Sequence, residues 1–296
     1  MEIVVNLRES GIRFLILGVC VLCSGLAAAH EEGADFSGAI IEPLRVHHAH
    51  IEDEQRLNFG WVDGLRTDSG KRGAFASSIE LAAAWDAEFR FGSEIFIPFS
   101  NTGNDSDSFG IGDIEFWPIK YAFINRPETI LTGALSFVIP TGSESRGLGT
   151  GNTVMGGLLF FDQAYKNWFF GLNGEIEGTI SGESEAEAEL AAVVSYSFIR
   201  GTQQKAPTVP SQRFVPALSL EAISEFGLQG EEDGETRVSV VPGFHLWHPN
   251  SGWAARVGVE VPVTSNRESD FTVLFQIGTH FDWSKMGRSL KSWIKR

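Results

Sequence analysis

Between Trp85 and Phe99 the chain reads "WDAEFRFGSEIFIPF", and its four charges, Asp86, Glu88, Arg90 and Glu94, all stand on even positions. The odd positions carry Trp85, Ala87, Phe89, Phe91, Ile95, Ile97 and Phe99. A period of two belongs to a β-strand, whose successive side chains point to opposite faces, and not to a helix. The pattern recurs in "WAARVGVEVPV", where Trp253, Ala255, Val257, Val259, Val261 and Val263 share one face and Arg256 and Glu260 the other. In "AEAELAAVVSYSF" the charged face holds Glu187 and Glu189, and "FVPALSLEAISEF" and "ETRVSV" add Glu221, Glu225, Glu235 and Arg237.

Alternation and turn residues together predict twelve strands, near 55–62, 74–84, 86–98, 111–123, 129–140, 151–161, 168–178, 186–199, 213–226, 235–247, 252–263 and 271–282. A sandwich would turn the apolar faces to a core. A transmembrane barrel would turn them to lipid and the charged faces to a wet lumen. The connections decide between the two. Long, polar, Gly-rich ones such as "SNTGNDSDSF", "TGSESRGLGTG" and "GLQGEEDGE" alternate with tight ones such as "WD", "NRPE", "DQAYKN" and "HPNSG". That is the loop asymmetry of an outer-membrane barrel, and a sandwich has no reason to keep it. The link "RGTQQKAPTVPSQ" at 200–212 is the exception, long where the scheme asks for a short turn. Tyr121, Tyr165, Tyr196, Trp85, Trp168, Trp247, Trp253 and Trp283 all fall at the short-turn ends, as a belt at one membrane interface does.

The predicted fold is therefore all-β: a transmembrane, antiparallel, up-and-down β-barrel of about twelve strands over residues 55–283. Its predicted lumen lining is Asp86, Glu88, Arg90, Glu94, Glu187, Glu189, Glu221, Glu225, Glu235, Arg237, Arg256 and Glu260. Acids outnumber bases there, which favours cations or neutral solutes. Eight strands fill their own interior and 16–18 leave an open channel, so about twelve implies a narrow or partly plugged pore.

The ends of the chain read differently. Residues 1–29 have Arg8 and Arg13 before the apolar run "FLILGVCVLCSGLAAA" and a small-residue end at Ala27 and Ala29, the pattern of a cleaved secretory signal. The run is short for a membrane anchor of ~20 residues. Cys20 and Cys23, the only cysteines, lie inside it, so residues 30–296 offer no disulfide and no thiol chemistry. Val19 and Leu22, which precede them, are bulkier than a lipid-modified Cys wants. The formal net charge of −15 argues against nucleic acid as a partner. Residues 30–54 form a lead-in expected on the periplasmic side. The tail 284–296 carries Lys285, Arg288, Lys291, Lys295 and Arg296 and no acid. It reads equally as an interfacial helix on an anionic leaflet or as a frayed basic end.

"GIGDIEFWPIKYAF" at 110–123 and "PTGSESRGLGTGNT" at 140–153, with the lead-in "EPLRVHHAH", resemble the outer-membrane family named for a MetA pathway of phenol degradation, often called simply a transporter. The similarity is clearest over 40–160. It implies an outer-membrane barrel for uptake of small, often aromatic compounds, and supplies no catalytic residues. The chain departs from most such barrels by continuing past Phe281 with "DWSKMGRSLKSWIKR".

Candidate chemistry is sparse. "HHAH" at 47–50, followed by Glu52 and Asp53, offers imidazole and carboxylate, but adjacent histidines on a short segment make a loose chelate. We read it as a polar segment on the periplasmic side or folded into the barrel mouth, and expect no metal and no cofactor. "GLGTG" at 147–151 lacks the following helix and Lys of a phosphate-binding loop, so it is read as a flexible surface loop. His245, His248 and His280 lie in or beside strands, and no Ser sits in a nucleophile-elbow motif. The expected function is a channel or facilitated-diffusion transporter, not an enzyme, with outer-membrane lipid and a small-molecule solute as its partners. A barrel lipid hydrolase and a non-conducting structural or adhesion barrel are the alternatives.

Overall fold

A lipid-facing sheet can have no open edge, because every backbone N–H and C=O must be paired where water is absent. The chain meets that demand by closing on itself. The computed structural model describes residues 43–280, apart from 68–69, 87, 102–108, 127, 199–213, 231 and 249–252. The signal segment, the basic tail, Trp283 and the whole of the 200–212 link lie outside the described residues.

The strands are β1 (Glu54–Thr67), β2 (Gly70–Ala84), β3 (Phe91–Ser100), β4 (Gly110–Ile111), β5 (Ile114–Arg126), β6 (Thr129–Ile139), β7 (Thr153–Tyr165), β8 (Trp168–Ser181), β9 (Ala186–Ser197), β10 (Val215–Gln229), β11 (Thr236–His248), β12 (Trp253–Pro262) and β13 (Phe271–His280). β4 and β5 are one stave interrupted at Gly112 and Asp113, so the barrel has twelve staves, as the alternation predicts. Each stave pairs antiparallel with its sequence neighbour, and β1 pairs with β13 from Glu54↔His280 to Asp63↔Phe271 to close the ring.

The two faces separate as the period of two requires. Ile176, Leu190, Leu220 and Val257 are exposed on the outside, while Glu175, Glu189, Glu221 and Arg256, their sequence neighbours, turn inward. At the short-turn end Trp85, Tyr165 and Trp168 are exposed, and the Trp168 ring meets Tyr196 edge-on at 4.9 Å.

Two departures from the simple pattern matter. The third strand starts at Phe91 and not at 86. The Asp86 carboxylate accepts the N–H groups of Arg90 (2.8 Å) and Phe91 (3.1 Å), and Phe89 takes φ 52°, so 85–90 form a tight turn. In β5 a register shift between Phe116 and Ile119, around Pro118, flips the alternation. Trp117 and Lys120 thereby both face inward and are almost fully buried.

The loop at 140–152 is a surface loop as expected, but it is tied down. The Asp113 carboxylate accepts the N–H groups of Gly142 and Thr150, both at 2.8 Å. A Cβ on Gly149 would meet Asp113 and the Gly142 Cα, so that backbone approach requires glycine. Asp113 of "GIGD" and the "PTGSESRGLGTGN" loop are thus one structural unit.

The face assignment has a direct consequence. Val257→Arg, outward and mid-strand in β12, should lower barrel stability by ~2–4 kcal/mol, whereas Ser78→Arg, on the inner face of β2, should cost much less. Urea titrations of the two variants folded into bilayers check this; equal losses would contradict the face assignment, and the reverse order would mean that the faces are swapped.

Candidate functional site

Residues 43–53 do not stay on the periplasmic side. They run inside the barrel, where Leu44, Val46, His48, Ala49, His50, Ile51 and Glu52 are buried. This is the second of the two places expected for "HHAH", and the depth of insertion exceeds that expectation. A peptide laid across a lumen brings unpaired backbone groups with it, and the wall must supply their partners.

Glu221 supplies most of them. Its Oε1 accepts the Leu44 N–H at 2.8 Å, and its Oε2 accepts those of Arg45 (2.8 Å) and Val46 (2.9 Å). Three successive N–H groups converging on one anion form a nest. Hydrogen bonds to a charged group contribute ~1.5–3 kcal/mol each, which offsets part of the several kcal/mol of burying the carboxylate. Farther along, Asp162 accepts the Ala49 N–H at 2.7 Å, Thr132 donates to the Ala49 carbonyl, and Lys120 donates to the His48 carbonyl at 3.2 Å. Gln276 donates to the Leu44 carbonyl at 2.7 Å, and Asp53 accepts the Ala84 N–H at 2.8 Å. The anchors come from β2, β5, β6, β7, β10 and β13, which surround the segment.

The wall is also shaped to it. Gly243 and Gly258 stand directly opposite each other on β11 and β12, and a Cβ on either would collide with the Leu44 side chain. A Cβ on Gly92 would lie 2.6 Å from the Ile51 Cγ2. Leu44, Val46 and Ala49 join Trp117, Ile130, Phe160, Phe169, Ile223 and Val241 in one apolar cluster. His47 packs edge-on against Trp117 at 4.9 Å and Phe96 at 5.6 Å. Burial first, then the positive charges of Lys120 and Arg56, push its imidazole well below its usual range, so it packs as a neutral ring.

Around this plug the charges are paired. Lys120 bridges to Glu94 at 2.6 Å while lying over the Trp117 and Phe160 rings. Arg56 forks onto Glu54 (3.2 and 2.9 Å) and reaches Glu80 at 3.3 Å, and Arg256 lies 3.9 Å from Glu54 and donates to Gln276 at 3.3 Å. Toward the long loops the balance changes. Glu175, Glu189 and Glu225 face one another directly across β8, β9 and β10, and Glu177 faces Glu187 one step outward. Arg237 answers Glu225 (3.1 Å), Glu232 (2.6 Å) and Glu268 (2.9 Å). From the plug, Arg45 reaches Glu260 at 3.4 Å and Glu225 at 3.8 Å. Glu260, then Glu189, Glu225 and Glu221, hold the Arg45 guanidinium above its usual range against the effect of burial. A cavity of about 730 Å³ lies between the plug and the loop rim, bordered by Arg45, Glu80, Glu115, Glu225, Arg237 and Glu260 among others.

The predicted lining residues therefore divide. Glu187, Glu189, Glu225, Arg237 and Glu260 face the upper lumen. Glu94, Glu221 and Arg256 face inward but are buried in the plug's supports. Glu235 sits exposed at the loop end of β11, accepting from Asn266. Asp86, Glu88 and Arg90 are not part of the strand wall at all, because the turn at 85–90 carries them; the Glu88 carbonyl there accepts from Asn125 at 2.9 Å. Glu54, Arg56, Glu80, Glu115, Lys120, Asp162, Glu175 and Glu177 also turn inward and are not among the predicted lining residues. A lone charge in an apolar alternating strand was the available signal for most of them.

The structure also brings Ser219 and His245 together, with Oγ and Nε2 2.7 Å apart. Both are buried, and His245 Nδ1 has no hydrogen-bond partner among the described residues. A serine nucleophile needs a base oriented by a third group and access for substrate. The pair has neither.

No family model and no curated protein matches the chain. Among solved structures it is similar to the COG4313 outer membrane channel from Pseudomonas putida F1, with 12% identity and a TM-score of 0.54 over 82% of this chain and 100% of that one. The NanC porin (12% identity, TM-score 0.48) and the KdgM porin (9%, 0.47) each align over 77% of this chain and 99% of theirs. At 12% identity the likeness to the Pseudomonas putida barrel shows the fold, a closed barrel of the bacterial outer-membrane type.

Removing the nest acceptor should free the plug. In a Val46→Cys background, Glu221→Ala should raise the rate of maleimide labelling at position 46 at least tenfold, a change that needs only ~1.4 kcal/mol of lost docking. Unchanged labelling would show that Glu221 does not hold the segment.

Proposed function

We propose that this barrel is an outer-membrane channel or facilitated-diffusion transporter for small solutes, selective for cations and neutral molecules. The observation that carries the reading is the roughly 730 Å³ cavity floored by the plug, with acidic side chains at its border. Inside a narrow low-dielectric wall, like charges focus their field and raise the local concentration of counter-ions. Glu175, Glu189 and Glu225 stand in one cross-strand row, and Arg237 and Arg45 answer only part of the surrounding acid. The similar barrel from Pseudomonas putida is an outer membrane channel, which favours the same class. The link to aromatic compounds comes from the family resemblance, and Phe96 and His47 at the cavity floor are compatible with it. No reaction is assigned: the Ser219–His245 pair lacks an orienting acid among the described residues.

The plug sets how much passes, and the acidic row sets what passes. Planar-bilayer recording on refolded protein tests the second point. The wild-type reversal potential in a salt gradient should indicate cation preference, and Glu189→Lys should move it toward anions. Glu88→Lys, in the short turn, should move it little. The difference should fade toward ~1 M salt, where the screening length is ~3 Å. A barrel that conducts nothing, or one in which both variants behave alike, contradicts the proposal.

A further inference from the structure

Where the plug turns into β1, three side chains converge that the transport reading does not use. His48 Nε2 lies 3.6 Å from Glu52 Oε1 and 3.7 Å from Glu54 Oε2, and the three ligand atoms all fall within 4.8 Å of one another. All three residues are more than nine-tenths buried. The two N···O separations are longer than a direct N–H···O hydrogen bond. They lie close to the spacing of two donors around one shared ion: a tetrahedral metal with bonds of ~2.0–2.2 Å holds neighbouring ligand atoms about 3.3–3.6 Å apart.

We infer that His48, Glu52 and Glu54 bind a divalent first-row transition ion, with water completing the shell. An imidazole with two carboxylates suits such an ion better than Mg²⁺ or Ca²⁺, which prefer all-oxygen sites. The surroundings fit. Arg56 forks onto Glu54 and fixes its orientation, as outer-shell partners of metal-ligating carboxylates do. Among the described residues carboxylates also outnumber bases nearby: Glu52, Glu54, Glu80, Glu94 and Asp162 face Arg56, Lys120 and Arg256. A cation between the three ligands relieves that excess.

The histidines of "HHAH" have separate surroundings. His47 packs among Phe96, Trp117 and Phe160 and is not one of the three converging ligands, and the His50 ring centroid is 5.9 Å from that of His48. The proposed site is thus a fixed corner and not a loose run of imidazoles. Two ligands belong to the plug and the third is the first residue of β1, so the ion would staple the plug to the wall. This does not depend on what the barrel conducts.

The test is Zn²⁺ titration by calorimetry on the refolded, chelator-stripped full-length mature chain, with folding of each variant verified by heat-modifiable gel migration. One Zn²⁺ per chain should bind, and a tenfold excess of Mg²⁺ should not displace it. His48→Ala and Glu52→Gln should each weaken binding at least tenfold, and His47→Ala should leave it within twofold. If His48→Ala does not fold, Glu52→Gln decides alone. Absence of saturable binding, unchanged affinity in Glu52→Gln, or equal losses in His47→Ala and His48→Ala would overturn the assignment, the last because it would indicate chelation by the histidine run as a whole.

Discussion

The lumen of this barrel is organised around one carboxylate. A peptide crossing a closed barrel must find acceptors for its N–H groups or leave them unpaired, and Glu221 takes those of Leu44, Arg45 and Val46 together. The rest follows from that seat. Once Leu44 is held at β10, its side chain reaches the wall at β11 and β12, where Gly243 and Gly258 leave room for it. The chain then passes Lys120, Thr132 and Asp162 before it becomes β1. The hydrogen bonds are distributed over many staves, so the plug is fastened to the barrel and not to one strand.

The same constraint divides the interior by height. Beside the plug, water is largely excluded, and a charge survives there only with a partner: Lys120 with Glu94, Arg56 with Glu54 and Glu80. Above the plug the lumen opens to the 730 Å³ cavity, and acidic side chains there stand in cross-strand rows. The charges paired in the plug's supports and those bordering the open cavity are thus separated along the barrel axis.

How much of this the sequence carries depends on range. The twelve staves and the inward turn of Glu189, Glu225 and Glu260 are written in a local period of two, which lipid on one side enforces. Asp86, Glu88 and Arg90 obey that period but lie in a turn, because the Asp86 carboxylate satisfies Arg90 and Phe91 locally and ends the strand. Trp117 and Lys120 have opposite parity, and only the register shift around Pro118 makes both point inward. The plug is least legible. Nothing local ties Leu44 to Glu221, 177 positions away, or distinguishes Gly243 and Gly258 from loop-forming glycines. Those are long-range fits, visible only once the barrel closes.

The central claim is that residues 44–49 are a built-in part of the folded barrel. Hydrogen–deuterium exchange of the Leu44, Arg45, Val46 and Ala49 amides in the refolded protein tests it most directly. These four should exchange as slowly as amides in the middle of β10 and β11, because each donates to a buried carboxylate. Exchange at the rate of an unstructured peptide, with the strand amides still protected, would contradict it.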